Sequence, residues 1–142
     1  MRKTSREPRG AQLRRKGNST GRLDQAYARY LRIALKLPGT EESTSYGTPA
    51  VKVKGKLLSR WRTEAEGALA LRCDFVDRQI LLQADPATFF LTDHYRDYPF
   101  ILVKLERIHE AAFADVVLRA WRAVAPQKLI TAYDHANAPQ PR

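Results

Sequence analysis

Cysteine is nearly absent from this chain, which contains Cys73 and no other. A single thiol excludes an intramolecular disulfide and a metal site built from several cysteines. Cys73 lies in an apolar stretch typical of a strand, so we expect its side chain to be buried. An unpaired, buried thiol suits a reducing compartment, and the sequence therefore predicts a cytoplasmic protein.

Long apolar runs are also missing. No stretch approaches the roughly 18 consecutive apolar residues that a membrane-spanning helix requires. The first residues are charged but lead into no apolar segment of the kind found in secretory signals. The composition therefore predicts a chain that neither spans a membrane nor carries such a signal.

Acidic residues are fewer than basic ones, and the net charge of the chain is +10. Most of the excess positive charge lies at one end of the chain. Residues 1–22 contain eight Lys or Arg and one acidic residue, a net charge of +7, so the other 120 residues carry only +3. This basic arm, which includes Arg14, Arg15 and Lys16, is suited to bind polyanions through counterion release. A solvated, solubilising tail is the alternative.

The residue patterns of known catalytic and metal sites are missing as well. The histidines, His94, His109 and His135, lack the i, i+4 spacing of a helical metal pair. Residues 17–21 (GNSTG) match the G-x-S-x-G pattern but follow no predicted strand, so they do not form a nucleophile elbow, and no G-x-x-x-x-G-K-[ST] loop occurs. We therefore predict no enzymatic activity, no metal and no cofactor. An enzyme that acts on a small anionic ligand near His94, Arg96 and Arg72 is the weakest alternative.

What the chain does contain is regular apolar patterning over residues 23–132. Spacings of three and four predict a first helix that begins near Leu23 and stops before Pro38, and a last helix closed by Pro126. Alternating stretches between them predict strands, and Asp74 is a suitable N-cap for a short helix over about residues 75–84.

These elements predict a single α+β domain in the order α-β-β-β-α-β-β-α. A mainly antiparallel sheet is expected, with the N- and C-terminal helices packed on one face. Residues 1–22 and 133–142 have no such patterning and are expected to be disordered.

Strand alternation divides side chains between the two faces of the predicted sheet. Val51 and Val53 are expected to face the helices, with Lys52 and Lys54 on the open face and a tight turn at residues 55–56. The cations expected to contact phosphate on the open face and its hairpin are Lys52, Lys54, Lys56, Arg60, Arg62, Arg72 and Lys104. The alternative is an ordinary solvated face, where charges protect a sheet from aggregation.

A polar-aromatic loop follows Thr92. Its residues His94, Tyr95, Arg96 and Tyr98 are candidates for a stacking or pocket role, because aromatic rings can stack on nucleic-acid bases. Alternatively, these rings pack over the edge of the core.

Four stretches together resemble the MmcQ/YjbR family. They are residues 37–56 (LPGTEESTSYGTPAVKVKGK), residues 72–75 (RCDF), residues 85–99 (DPATFFLTDHYRDYP), and AWR at residues 120–122 followed by AP. The resemblance covers about residues 26–130 and omits the basic arm.

The resemblance implies a fold like that of type III secretion chaperones and CyaY-like proteins. It also implies DNA binding through two wings, at residues 50–62 and 89–105, and brings no established enzyme activity or cofactor. The loop at residues 93–98 departs from the family's histidine-and-tryptophan version, having Tyr98 and then Phe100 instead.

The resulting hypothesis is a nucleic-acid-binding protein, with DNA as its partner, that makes largely nonspecific phosphate contacts through the open face and the basic arm. The alternative is a protein-binding, chaperone-like module without catalytic activity. No membrane partner is expected, and both a monomer and a homodimer fit the sequence.

Overall fold

The computed structural model describes residues 11–63 and 67–139, with side chains described for residues 21–62 and 67–139. The elements in chain order are α1 (Ala11–Ala34), β1 (Thr40–Ser45), β2 (Thr48–Val53), β3 (Lys56–Thr63), β4 (Ala68–Arg72), α2 (Phe75–Ala84), β5 (Phe89–Phe90), β6 (Phe100–Lys104), α3 (Glu110–Val124) and α4 (Gln127–Ala136). None of the helices in these ranges is long and apolar enough to cross a membrane.

The described strands form one antiparallel sheet in the order β1-β2-β3-β4-β6-β5. This confirms the predicted α+β domain. The sequence also predicts a short first strand around residues 43–46, which is present as β1 at residues 40–45, and the structure adds α4 after the last predicted helix.

The main core lies between one face of the sheet and the helices α1 and α3, as predicted. Its largest fully buried side chains include Tyr30 from α1, Phe113 and Trp121 from α3, and Leu69 and Leu71 from β4. The hydroxyl of Tyr30 donates a hydrogen bond of 2.5 Å to the Ser59 hydroxyl, so the polar groups buried between α1 and β3 satisfy each other.

Both ends of the domain differ from the sequence prediction. Helix α1 begins at Ala11, so residues 11–22 of the predicted disordered arm are helical, whereas residues 1–10 lie outside the described part. The segment from Ala11 to Lys16 consists of good helix formers, and glycine at positions 17 and 21 costs only about 1 kcal/mol each. Helix α4 likewise extends to Ala136, past the predicted boundary at 132.

Cys73 is buried, as predicted, in the core between the sheet and the helices. Burial, reinforced by the carboxylates of Asp77 and Asp74, raises the pKa of its thiol to about 12. The cytoplasmic location stays a prediction.

We expect native Cys73 to react with a thiol reagent at neutral pH at least roughly a hundredfold more slowly than the urea-unfolded chain, because the thiolate is the nucleophile. The same pKa shift means that stability falls as the pH rises above about 9, where only the unfolded chain releases this proton. Absorbance of released reagent measures the rates, and equal rates in both states would contradict the expectation.

Candidate nucleic-acid interface

Five of the predicted cations lie on the sheet face that points away from α1 and α3. In the strand register, Arg60 is opposite Ala70, Arg72 is opposite Phe100, and Lys104 is opposite Ala68. Their neighbours along the strands, like those of Lys52, are buried, so strand alternation turns these cations outward. Arg62 lies where the register of β3 with β4 shifts, and it reaches this face over the ring of Tyr95, which packs on Ala70. We call this set the open-face cations: Lys52, Arg60, Arg62, Arg72 and Lys104.

Lys54 and Lys56 do not belong to this set, which corrects the prediction. The β2–β3 turn consists of Lys54 and Gly55, with φ of +50° and +85°, so it lies one residue earlier than predicted. The Lys54 amide donates to the Gly39 carbonyl at 3.1 Å, and its side chain packs beside Gly39 at the end of the sheet. Lys56 is opposite Val53 and therefore shares the face that the helices cover.

A β-bulge accounts for the changed alternation on β3. The register of β2 with β3 shifts between Val51 and Lys52, so Leu58 and Ser59 are both buried in succession. Leu57 and Arg60, three residues apart, consequently share the open face. Sequence alternation alone cannot show where such a shift occurs.

The open face is strongly positive. Among the described strand residues on it, Glu41 of β1, opposite Lys52, is the only carboxylate. Aromatic rings accompany most of the open-face cations. The pairs are Arg60 with Tyr46 (5.4 Å), Arg62 with Tyr95 (5.5 Å), Arg72 with Phe100 (5.9 Å) and Lys104 with Phe90 (5.5 Å), measured from the cation to the ring centre. A ring orients a cation without neutralising its charge, so the face keeps its attraction for anions.

A cleft of about 590 Å³ opens on this face, and we call it the aromatic cleft. Its lining residues are Ser45, Tyr46, Leu57, Arg60, His94, Tyr95, Tyr98 and Phe100. They come from the end of β1 and the β1–β2 turn, from β3, and from the segment that joins β5 to β6 together with the first residue of β6. The structure thus brings together three of the four predicted pocket residues.

Arg60 is held rigidly in the aromatic cleft by three hydrogen bonds. Its Nε donates to the Thr48 hydroxyl at 3.0 Å and to the Ser45 carbonyl at 3.3 Å, and its Nη1 donates to the Tyr95 hydroxyl at 3.1 Å. All three acceptors are uncharged, so the guanidinium keeps its positive charge. Arg60 therefore offers a pre-oriented cation to whatever enters the cleft.

Arg78 of α2 fixes the loop that forms the other wall of the aromatic cleft. Its guanidinium donates to four backbone carbonyls, those of Tyr95 (3.2 Å), Arg96 (2.9 Å), Tyr98 (2.8 Å) and Phe100 (3.3 Å). No other side chain in the described part contacts so many carbonyls of this loop. Arg78 is thus a positioning residue for the aromatic side chains around His94.

Arg96, the fourth predicted pocket residue, does not line the aromatic cleft. It is exposed and forms an ion pair of 2.5 Å with Asp93. Arg72 lines a separate space of about 10 Å³ beside Cys73. His94, Arg96 and Arg72 therefore do not line a common cavity, and the geometry gives the small-anion alternative no support.

Tyr46, Leu57 and Arg78 are site residues that the sequence interpretation missed. Tyr46 followed by a glycine is a local signal for an exposed turn, but the sequence analysis assigns Tyr46 no functional role. Nothing local marks Leu57, which a β-bulge places on the open face, or Arg78, whose carbonyl partners lie 17–22 residues away in the sequence. Within the described ranges, no three His, Cys, Asp or Glu side chains are grouped so that they could hold a metal ion.

Three curated relatives, one from Mycobacterium bovis and two from strains of Mycobacterium tuberculosis, are each titled only as an uncharacterized protein. Each is 32% identical over 53 residues, which is 37% of this chain and 41% of the relative. The match thus spans less than half the length of these relatives. No solved structure matches the chain. Residues 35–123, from the end of α1 to α3, match the YjbR family, and the chain belongs to that family.

Proposed function

We propose that the chain binds nucleic acid through the open face of its sheet, mainly by contacts to phosphates. The observation that carries this proposal is the grouping of five cations on one face, most with aromatic rather than carboxylate partners. Such a face attracts a polyanion through its excess of positive charge. DNA is the partner that we propose.

The contacts are largely nonspecific in this proposal. Lysine and arginine side chains on a sheet face suit phosphate oxygens, and phosphate contacts position a protein without reading sequence. The basic arm adds affinity in the same way. Arg14, Arg15 and Lys16 lie on the first turns of α1, and their side chains are outside the described part.

Fluorescence anisotropy with labelled duplex DNA at several salt concentrations tests the proposal. If about five to eight phosphates are neutralised, the logarithm of the binding constant falls with the logarithm of salt at a slope near −4 to −7. The arm is tested by replacing Arg14, Arg15 and Lys16 with Gln together, because removing residues 1–22 would also remove half of α1. Absence of binding at about 50 mM salt would overturn the proposal.

Lys52 and Lys54 offer a matched pair of variants. Lys52→Gln removes a cation from the open face, so we expect weaker DNA binding and a salt slope smaller by about 1. Lys54→Gln removes the same charge from a turn beside Gly39, and we expect the slope to stay unchanged. Equal effects of the two variants would show that overall charge, rather than the open face, governs binding.

A protein-binding module is the second candidate, and helix α2 favours it. Its side chains include three exposed apolar ones, Phe75 (50%), Val76 (72%) and Ile80 (58%). Exposed apolar side chains grouped on one helix are typical of contact surfaces. This candidate predicts no affinity for DNA, together with self-association in light scattering that Ile80→Lys abolishes.

A further inference from the structure

We propose that the aromatic cleft takes one unstacked base of a single-stranded nucleic acid, so that the chain prefers single strands to duplexes. This inference rests on the proposed function and names the form of nucleic acid that the open face holds. It is carried by the backbone at Tyr46, by the shape and chemistry of the cleft, and by the cations beside it.

Tyr46 occupies a position that does not suit a tyrosine. It is the first central residue of the β1–β2 turn, with φ of +52°, and Gly47 follows with φ of +76°. Positive φ at both central residues defines a type I′ turn, which favours Asn, Asp or Gly at the first of them. The Tyr46 side chain is also 91% exposed. Apart from the contact with Arg60 at 5.4 Å, the free protein gains little from this ring, which is accounted for if the ring also packs against a ligand.

The aromatic cleft has the size and lining that a base requires. Its volume of about 590 Å³ falls within the range of ligand clefts. The rings of His94 and Tyr98, with centres 6.3 Å apart, line it from the loop, and Tyr46 lines it from the β1–β2 turn. Aromatic rings stack on bases of any sequence, which agrees with nonspecific binding.

A duplex cannot make the same contact. Both faces of each base inside a duplex are covered by neighbouring base pairs, whereas the bases of a single strand can turn outward and stack on protein side chains. Arg60, fixed among the aromatic rings of the cleft, adds a planar cation that can stack on a base or bind its hydrogen-bonding edge.

The neighbouring cations are placed to hold the strand on both sides of that base. Lys52 of β2 is opposite Leu57 of β3, which lines the aromatic cleft. Arg62 lies two residues beyond Arg60 on β3, over the ring of Tyr95. A strand that places one base in the cleft therefore brings its flanking phosphates to cations on either side.

The test compares a labelled thymidine oligomer of about 12 nucleotides with the same oligomer in duplex form, by anisotropy, using the full chain. One stacked base accounts for roughly a fivefold to hundredfold gain in affinity, so we expect the single strand to bind at least about fivefold more tightly. Tyr46→Asn removes the ring while introducing a residue that the turn prefers. We expect it to lose most of that preference, to bind duplex unchanged, and to keep or raise the melting temperature.

Lys54→Asn is the matched control, because Lys54 holds the equivalent position in the other type I′ turn, outside the aromatic cleft. It should leave the ratio of single-strand to duplex affinity unchanged, and Tyr98→Ala should lower that ratio as Tyr46→Asn does. Equal affinity for the two forms, or a preference that survives both tyrosine variants, overturns this inference and leaves the proposed function standing. Failure of both forms to bind at about 50 mM salt overturns the proposed function itself.

Discussion

Arg78→Ala is expected to lower the free energy of unfolding by about 2–3 kcal/mol, a large effect for a surface arginine. The Arg78 guanidinium donates to four carbonyls between Tyr95 and Phe100, and a hydrogen bond to a charged group makes a net contribution of up to about 1.5–3 kcal/mol. Two of these hydrogen bonds are exposed, so water compensates for part of the loss. Urea unfolding followed by tryptophan fluorescence measures the change.

The Arg78 variants also separate charge from geometry. Arg78→Lys keeps the charge but lacks the planar fork that reaches several carbonyls at once, so we expect it to recover less than half of the lost stability. Arg96→Ala, in the same loop, removes an exposed ion pair with Asp93 and should cost no more than about 0.5 kcal/mol. A loss in Arg78→Ala as small as that of Arg96→Ala would show that the loop holds its shape without the carbonyl contacts.

Trp121→Phe is expected to cost about 3 kcal/mol of unfolding free energy. The Trp121 side chain is fully buried, and its indole N–H donates to the Pro38 carbonyl at 2.8 Å. Phenylalanine leaves a cavity and removes the donor to that carbonyl, and each loss costs about 1–2 kcal/mol. This hydrogen bond joins α3 to the connection between α1 and β1. Because the variant loses it together with buried contacts, its urea unfolding transition should move to a lower urea concentration.

Trp61→Phe provides the comparison. Trp61 is also in the core, and its ring packs against Tyr27 with centres 5.2 Å apart. The substitution removes a similar ring area without taking a hydrogen bond from Pro38, so we expect a cost of about 1 kcal/mol. Equal costs for the two substitutions would contradict a contribution from the Trp121 hydrogen bond.

Local sequence patterns predicted a structural property correctly wherever that property depended on residues nearby in the chain. The stripe of apolar residues on α3 is buried as its spacing of three and four predicts. Asp74 caps α2, accepting a hydrogen bond of 2.8 Å from the amide of Asp77, as its residue type predicts. The outward positions of Lys52, Arg72 and Lys104 follow from strand alternation alone.

Predictions failed where a property depended on register or on distant segments. The turn lies at Lys54 and Gly55, one residue earlier than predicted, so Lys54 leaves the open face and Lys56 is in β3 rather than at the tip of the hairpin. Burial of both Leu58 and Ser59 at the bulge interrupts the alternation on β3. A shift of one residue reverses the face to which each side chain points, so small local errors have large consequences for a proposed surface.

The sequence by itself determined the α+β fold, the buried stripes of its helices and strands, the excess of positive charge, and the resemblance to a family that the comparisons confirm. These properties reside in composition and in short periodic patterns. Only the tertiary structure decided which cations share a face. It also decided that Tyr46, His94 and Tyr98 line the same cleft. The physical reason is that such a cleft forms between segments about fifty residues apart in the sequence. Their relative position depends on strand register and on the hydrogen bonds that Arg78 donates to the loop carbonyls.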